Sequence, residues 1–453
     1  MNYGDILQKQ RDFFYTQHTK DVAFRKRSLE KLKKVILENE KSLYTAIDKD
    51  FGKSEIDTYL TEISIVINEI NYFLKNLNSL AKPRRIKTNL VNLPAKSRLH
   101  YEPFGCTLVI GAWNYPYQLS LSPLISAMAA GNCCILKPSE IAPNTMKIMA
   151  KLINENFPAE YIHVIEGGVE ETTEILKLKF DKIFFTGSTK VGQIVYEAAA
   201  KTLTPVTLEL GGKSPVIVTD NTNFEVAARR IVWGKFLNAG QTCIAPDYIL
   251  VSKKSEEKLL EYLRSEIKKA QYTIDSNAFT KIINTKNFDR LVEMINTEKI
   301  YFGGQYNREK LYIEPTILSN VSWNDKVMSE EIFGPILPVL TYEYYQEALN
   351  NVLEHEKPLA AYLFSDDDNE QKHFTNKLSF GGGCINDVLM HISNENLPFG
   401  GVGGSGIGNY HGKFGFECFS HPKAILKRYT WGEPLLKYPP YTLEKFKWLK
   451  KLM

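Results

Sequence analysis

From residue 106 the chain settles into a rhythm that leaves few folds open. The apolar run "CTLVIGAW" leads into a helical stretch at 117–130, "NCCILKP" into another at 143–156, and "YIHVIEG" into one at 169–177. "DKIFFTG" then leads into the helical "STKVGQIVYEAAAK". Each run is shorter than a helix and continuously apolar, so both of its faces must be covered. Strands of that kind alternating with helices predict an α/β protein built on a parallel sheet. Such sheets take ligands at the carboxyl ends of their strands. Two of those ends, "GAWNYP" and "LKPSE", are polar and marked by proline, and a third, "FTGSTKVG", is a glycine turn opening a helix.

The alternation resumes past "ELGGKSP" with longer loops. "YILV", a helix at 255–270, "PLAAYLFS", a helix at 367–378 and "GGGCIND" predict a second α/β unit over roughly 212–405, with Gly211 and Gly212 as a hinge. Residues 20–80 carry Leu29, Leu32, Ile36, Leu43 and Ile47 at helical intervals between lysines and glutamates, the pattern of surface helices on a core. Residues 84–104, "RRIKTNLVNLPAKSRLHYEPF" within proline-marked ends, have no helical period and predict a β-hairpin or arm.

The 453 residues suffice for two or three domains. A balance of 56 basic against 52 acidic residues gives a net charge of +4, too even to imply a nucleic-acid or membrane partner. The six cysteines, Cys106, Cys133, Cys134, Cys243, Cys384 and Cys418, are too sparse for a disulfide scaffold and lack paired metal-ligand spacing. Free thiols in a reducing compartment and no metal are expected. The N-terminal "MNYGDILQKQRDFF" has no apolar core of a signal peptide, which points to the cytoplasm. The most apolar stretch, "LSLSPLISAMAAGNCCIL", is interrupted by Pro123 and Gly131 and is read as a buried helix followed by a strand, not a membrane span.

Chemistry concentrates in few places. Cys243 stands in "NAGQTCIAP", among small and polar neighbours that allow backbone to approach a ligand closely. A thiol nucleophile needs thiolate character, donors for an oxyanion, and a base. No histidine stands in a glycine-framed motif beside Cys243. Glu209 ends the apolar run "PVTLELGG", where burial would raise its pKa toward that of a useful base. Asn114 ends a strand, and its amide could donate to an oxyanion. A capping glutamate and a turn asparagine are the ordinary alternatives. "FTGSTKVG" offers Gly187, a capping Ser188 and Gly192 for a pyrophosphate at a helix N-terminus, but lacks the central glycine of the usual dinucleotide fingerprint. Lys137 and Glu140 in "LKPSE" could meet ribose hydroxyls, or simply flank a surface turn. Glu331 and Phe333 in "EEIFGP" offer a carboxylate and an apolar ring face, or a loop with a buried Phe.

Taken together and in this order, "GAWNYP", "LKPSE", "FTGSTKVG", "TLELGGKSP", "GQTCIAP", "EEIFGPILPV" and "LPFGGVGGSG" resemble the NAD(P)-dependent aldehyde dehydrogenase superfamily over nearly the whole chain. The 34 residues from Glu209 to Cys243 match the family's separation of base and nucleophile. Tyr115 after the motif Asn, "GQTCIAPDY" and "YHGKFGFECFSH" are similar to its class 3 branch of fatty and aromatic aldehyde dehydrogenases. The bulkier residue that often follows two glycines in that family is absent from "GGGC" at 381–384.

The resemblance implies a variant Rossmann dinucleotide-binding domain (1–83 and 105–211), an α/β catalytic domain (212–405) and a small β oligomerisation arm (84–104 and 415–435). It implies Cys243 as nucleophile, Asn114 with the Cys243 N–H as oxyanion site, and Glu209 as activator of the deacylating water. Lys137 and Glu140 would meet the adenosine ribose, Gly187 and Ser188 would lie by the pyrophosphate, Glu331 and Phe333 would hold the nicotinamide ribose and ring, and Thr186, Gly192 and Leu210 would also bind the cofactor. The implied reaction oxidises medium- or long-chain aliphatic or aromatic aldehydes to carboxylic acids through a thiohemiacetal and a thioester. NAD is the expected cofactor, with NADP also open. A homodimer is the expected assembly. The rival class is a cofactor-independent cysteine esterase or hydrolase, which leaves "LKPSE", "FTGSTKVG" and "EEIFGP" without a role. A non-enzymatic NAD-binding protein leaves Cys243 and Glu209 without one. The terminal "EKFKWLKKLM" is basic, with Phe446, Trp448, Leu449 and Leu452 interleaved, which allows a weak membrane-surface contact or a docked tail.

Overall fold

The computed structural model describes residues 2–274, 279–432 and 435–452. Residues 1, 275–278, 433–434 and 453, which fall within the expected spans, lie outside the described residues. The N-terminal part of the chain, up to Leu80, is helical. Helices Val22–Glu38, Glu40–Phe51 and Ser64–Leu80 bury the expected stripe, with Leu29, Leu32, Ile36, Leu43 and Ile47 all inside. Asp21 caps the first of these, accepting from the Ala23 and Phe24 N–H groups at 3.1 Å each. An earlier helix, Tyr3–Tyr15, was not anticipated, because only Ile6, Leu7 and Gln10 of it face inward.

The strands in chain order begin with β1 (Arg84–Ile86), β2 (Ala95–Pro103), β3 (Cys106–Ile110), β4 (Cys133–Lys137), β5 (Ile162–Val164) and β6 (Lys182–Thr186). They continue with β7 (Val206–Glu209), β8 (Pro215–Val218), β9 (Tyr248–Ser252), β10 (Ile300–Phe302), β11 (Tyr306–Asn307) and β12 (Tyr312–Ile313). The last six are β13 (Thr316–Leu318), β14 (Ile336–Tyr342), β15 (Ala360–Phe364), β16 (Gly382–Ile385), β17 (Gly406–Ile407) and β18 (Ser420–Arg428). The strands expected from the rhythm are β3, β4, β5, β6, β9, β15 and β16. Strands β7, β8, β13 and β14 were not singled out, since loops without a clean helical period surround most of them.

Three sheets carry the architecture. The first runs β17-β7-β6-β3-β4-β5, parallel except where β17 lies antiparallel on β7 and sets Gly406 opposite Glu209. The second runs β10-β13-β14-β9-β8-β15-β16, parallel except at its β10 edge. The third, β1-β2-β18, is antiparallel, with nine residue pairs joining β2 to β18. The hairpin expected at 84–104 is therefore present, and it gains a strand from near the end of the chain.

The helix Gln118–Ala130 is buried at all thirteen positions. It packs against strand β4 and the helices Val22–Glu38 and Ser64–Leu80, which is why its sequence is apolar all round. Pro123 sits inside this helix, and Gly131 ends it at φ 96°, a left-handed conformation that favours glycine. No helix among the described residues is long and apolar enough to cross a membrane.

Candidate active site

The loop that carries Cys243 follows the helix Phe224–Phe236. Its next residues include Asn238, Ala239 and Gly240 at φ 54°, 52° and 73°. Two successive non-glycine residues in the left-handed region store roughly 1–3 kcal/mol each. Side chains hold them there. Asn238 Nδ2 donates to Asn114 O at 2.9 Å and to Gln241 O at 3.2 Å. Gln241 Nε2 donates to Asn238 O and to Lys281 O, both at 3.1 Å, and its Oε1 accepts from the Ile283 N–H at 3.0 Å. Gly240 packs so tightly on the carbonyl of Gly334 that no side chain fits. The result is a half-buried Cys243 between buried neighbours.

Asn114 is brought to the same loop. Its Nδ2 donates to Gln241 O at 3.1 Å, which commits one amide hydrogen and leaves the second for another acceptor. The adjacent Tyr115 hydroxyl meets Thr242 Oγ1 at 2.6 Å, and the Lys53 ammonium lies 4.4 Å from the Tyr115 ring centre. Tyr362 donates to Ile244 O at 2.6 Å from the far side of Cys243.

Glu209 ends β7, flanked by β6 and β17. It is buried, and neither carboxylate oxygen has a hydrogen-bond partner among the described residues. Desolvation pushes its pKa well above the usual carboxyl range. The thiol of Cys243 is pushed up to about 12, first by burial and then by the charges of Glu331 and Glu209. Glu331 is itself raised to about 8 by burial, with Asp247 adding to it. Cys243, Glu209 and Glu331 therefore share one electrostatic neighbourhood. Tyr410 belongs to it too: its buried hydroxyl has no partner among the described residues, and Glu209 and Cys243 raise its pKa further beyond the effect of burial.

A cradle lies at the end of β6. Thr186 is buried with a hydroxyl that has no partner among the described residues, and the Gly187 N–H donates to Glu209 O at 3.0 Å. Ser188 caps the helix Thr189–Ala200, accepting from the Val191 N–H at 3.4 Å. A Cβ on Gly187 would come within 2.6 Å of the Phe185 ring, and one on Gly192 within 2.6 Å of Leu210 Cδ2. These positions keep backbone open at a helix N-terminus, where a pyrophosphate is favoured. Lys137 is buried, which corrects the reading of it as a surface flank. Its Nζ donates to Pro138 O at 2.8 Å and lies 3.6 Å from Glu140 Oε2. Burial lowers the Lys137 pKa. Glu140 is more open, and Ile141, Val169, Val191 and Ile194 are exposed. Glu331 abuts Gly211, and Phe333, at φ 51°, presents its ring edge-on to Trp113 at 5.4 Å. The residues present thus fit a dinucleotide: backbone without side chains, an orphaned hydroxyl, a buried ammonium and two carboxylates.

Sequence reasoning missed the supports. Asn238 and Gln241 lie inside the quoted cysteine motif and could have been flagged as buried amides. Tyr362 and the Tyr115–Thr242 contact have no local signal, since their partners lie far away in the chain, and Tyr410 has none because the Glu209 and Cys243 that it neighbours are distant in sequence.

Residues 5–425 match the aldehyde dehydrogenase family. A 4,4'-diaponeurosporen-aldehyde dehydrogenase of Staphylococcus aureus is 48% identical over 442 residues, covering 97% of this chain and 96% of the relative. Aldehyde dehydrogenase family 3 member A2 of Rattus norvegicus is 44% identical, covering 98% and 93%. The substrate-bound structure of Staphylococcus aureus AldH superposes with a TM-score of 0.97 at 46% identity, covering 100% and 99%.

Proposed function

This chain belongs to the aldehyde dehydrogenase family, oxidising aldehydes to carboxylic acids with a nicotinamide dinucleotide, and from that premise we propose which of its residues do the work. Cys243 is the nucleophile, Asn114 with the Cys243 N–H holds the oxyanion, and Glu209 activates water. The observation that carries this is the buried Glu209 carboxylate, unpartnered and close enough to Cys243 to raise its thiol. A buried carboxylate without donors is destabilising, and its raised proton affinity gives it a use as a proton acceptor.

The steps follow from the placement. Cys243 rests as a thiol, so its proton passes by way of a neighbouring carboxylate to solvent as sulfur bonds to the carbonyl carbon. The free amide hydrogen of Asn114 and the Cys243 N–H stabilise the oxygen of the thiohemiacetal. A nicotinamide dinucleotide held beside Glu331 and Phe333 would supply the hydride acceptor for this step. Glu209 then takes a proton from water, which attacks the thioester and releases the acid with Cys243 as leaving group.

Lys137, Glu140, Thr186, Gly187, Ser188, Gly192, Leu210, Glu331 and Phe333 hold the dinucleotide. The carboxylate of Glu140 would repel a 2′-phosphate, which favours NAD over NADP. Trp113, Tyr115, Phe333 and Tyr362 around the nucleophile loop favour medium- or long-chain aliphatic or aromatic aldehydes. The three sheets support a division into a cofactor domain (1–83 and 105–211), a catalytic domain (212–405) and an arm (84–104 and 415–435). The enzyme is a cytoplasmic homodimer in this reading, and the C-terminal helix makes a weak membrane-surface contact.

Formation of reduced nicotinamide from a panel of aldehydes tests the assignment. Cys243→Ala abolishes it, and Asn114→Ala lowers turnover on the order of a hundredfold, the effect of one oxyanion donor. Near-wild-type turnover in either folded variant overturns the corresponding role.

A further inference from the structure

The segment carrying Glu331 and Phe333 is held by charged side chains that lie outside the cluster of Cys243, Glu209 and Glu331. Arg290, on the helix Thr285–Val292, reaches it from one side. Its Nη2 donates to Ile332 O at 2.7 Å, and its Nη1 donates to Glu331 O at 3.3 Å and to Glu330 Oε1 at 3.2 Å. Asp247 reaches it from the other side. It is buried, and its Oδ1 accepts from the Ile332 N–H at 3.0 Å while its Oδ2 accepts from Lys213 Nζ at 2.5 Å. Lys213 also donates to Glu330 O at 2.8 Å and to Val327 O at 3.0 Å.

Main-chain atoms of three successive residues are thus bonded to three charged groups from three separate parts of the chain. A surface loop would satisfy those carbonyls with water. Here the guanidinium fork spans two neighbouring carbonyls, a geometry an ammonium cannot copy. The next residue, Phe333, is left-handed, and the next carbonyl, that of Gly334, packs on Gly240 in the run that precedes Cys243. Asp247 lies four residues beyond Cys243. Arg290 and Lys213 also oppose the effect of burial on the Glu331 carboxyl.

We infer that Arg290, Asp247 and Lys213 form a positioning clamp that fixes the Glu331–Phe333 segment against the nucleophile loop, so that cofactor affinity depends on Arg290 while attack by Cys243 does not. The role rests on the assignment of Glu331 and Phe333 as cofactor contacts. None of the three residues touches reacting atoms.

The test compares full-length wild type, Arg290→Gln and Arg290→Lys in two measurements. The first is the dissociation constant for NAD, read from quenching of protein fluorescence without aldehyde. The second is cofactor-free hydrolysis of p-nitrophenyl acetate, which reports acyl transfer at Cys243, with Asn114 and Glu209, independently of the dinucleotide. In Arg290→Gln, NAD binding weakens about tenfold, the size of a single charge-assisted hydrogen bond, while ester hydrolysis stays within about twofold. In Arg290→Lys the loss in NAD binding is smaller, because one carbonyl keeps a donor. Unchanged NAD binding in Arg290→Gln overturns the clamp alone. Loss of ester hydrolysis together with NAD binding in both variants overturns it in favour of a general structural role. Absence of NAD binding by the wild type overturns the cofactor assignment as well.

Discussion

The carboxyl of Glu209 has neither a donor among the described residues nor bulk water around it. Its folded pKa therefore lies above the unfolded value of about 4.3. Between those two values the folded protein holds a proton that the unfolded chain has released, so stability falls as pH rises. The contribution is full below about pH 4 and is lost progressively on the alkaline side. Glu209→Gln removes this dependence. Its melting temperature should exceed that of the wild type by a margin that widens from mildly acidic to alkaline pH, in a series of thermal unfolding curves. A margin constant with pH would mean that the carboxyl is not desolvated. The variant should also accumulate acyl-enzyme and turn over poorly. At this scale Cys243, Asn114 and Glu209 were legible because each sits in a short stretch whose composition is odd for its place. The burial of Lys137 was not legible, since a lysine after a strand reads as surface until the packing around it is known. Arg290 carried no signal either: its partners are carbonyls about forty residues away, and carbonyls have no side-chain identity.

Strands and helices were legible where an apolar run ended in a turn residue. The helix expected at 143–156 spans those residues, opening on Pro143, and β4 ends at Lys137 just before Pro138. Pattern fails in two opposite conditions. The helix Gln118–Ala130 faces protein on every side and so carries no amphipathic stripe, although its length and apolarity still marked it. Strands β7 and β8, four residues each, are too short to show alternation. The C-terminal helix Leu443–Leu452 is a third case: Phe446 and Trp448 are exposed beside Lys445, Lys447, Lys450 and Lys451. Cationic and aromatic side chains on one short helix suit the surface of an anionic bilayer. The intact chain should pellet with anionic vesicles more than a chain ended at residue 440, and equal pelleting would assign the helix to a protein surface instead.

At the scale of the molecule, β18 pairs with β2 along one edge only and exposes Ile425 and Leu426. An open strand edge with apolar side chains is a pairing site. Ile425→Asp with Leu426→Asp should convert a dimer to a monomer in sedimentation velocity, and an unchanged mass would place the dimer contact elsewhere or remove it. Long-range order of this kind was the least legible in the sequence, because nothing in "SHPKAILKR" announces a partner strand more than 300 residues earlier. The same separation governs how the enzyme comes into being on a ribosome. Strand β7, which ends in Glu209, lacks its outer neighbour until β17 has emerged about 200 residues later, and the Leu210 N–H then finds Ser405 O at 3.1 Å. At ordinary rates of translation that interval lasts roughly 10–40 s. A nascent chain already contains the cysteine and the glutamate but has not yet closed the sheet that seals the carboxylate from water. Incomplete chains released by truncation or stalling would carry Cys243 without a fully enclosed Glu209, so under the proposed roles competence arrives only with about the last tenth of synthesis.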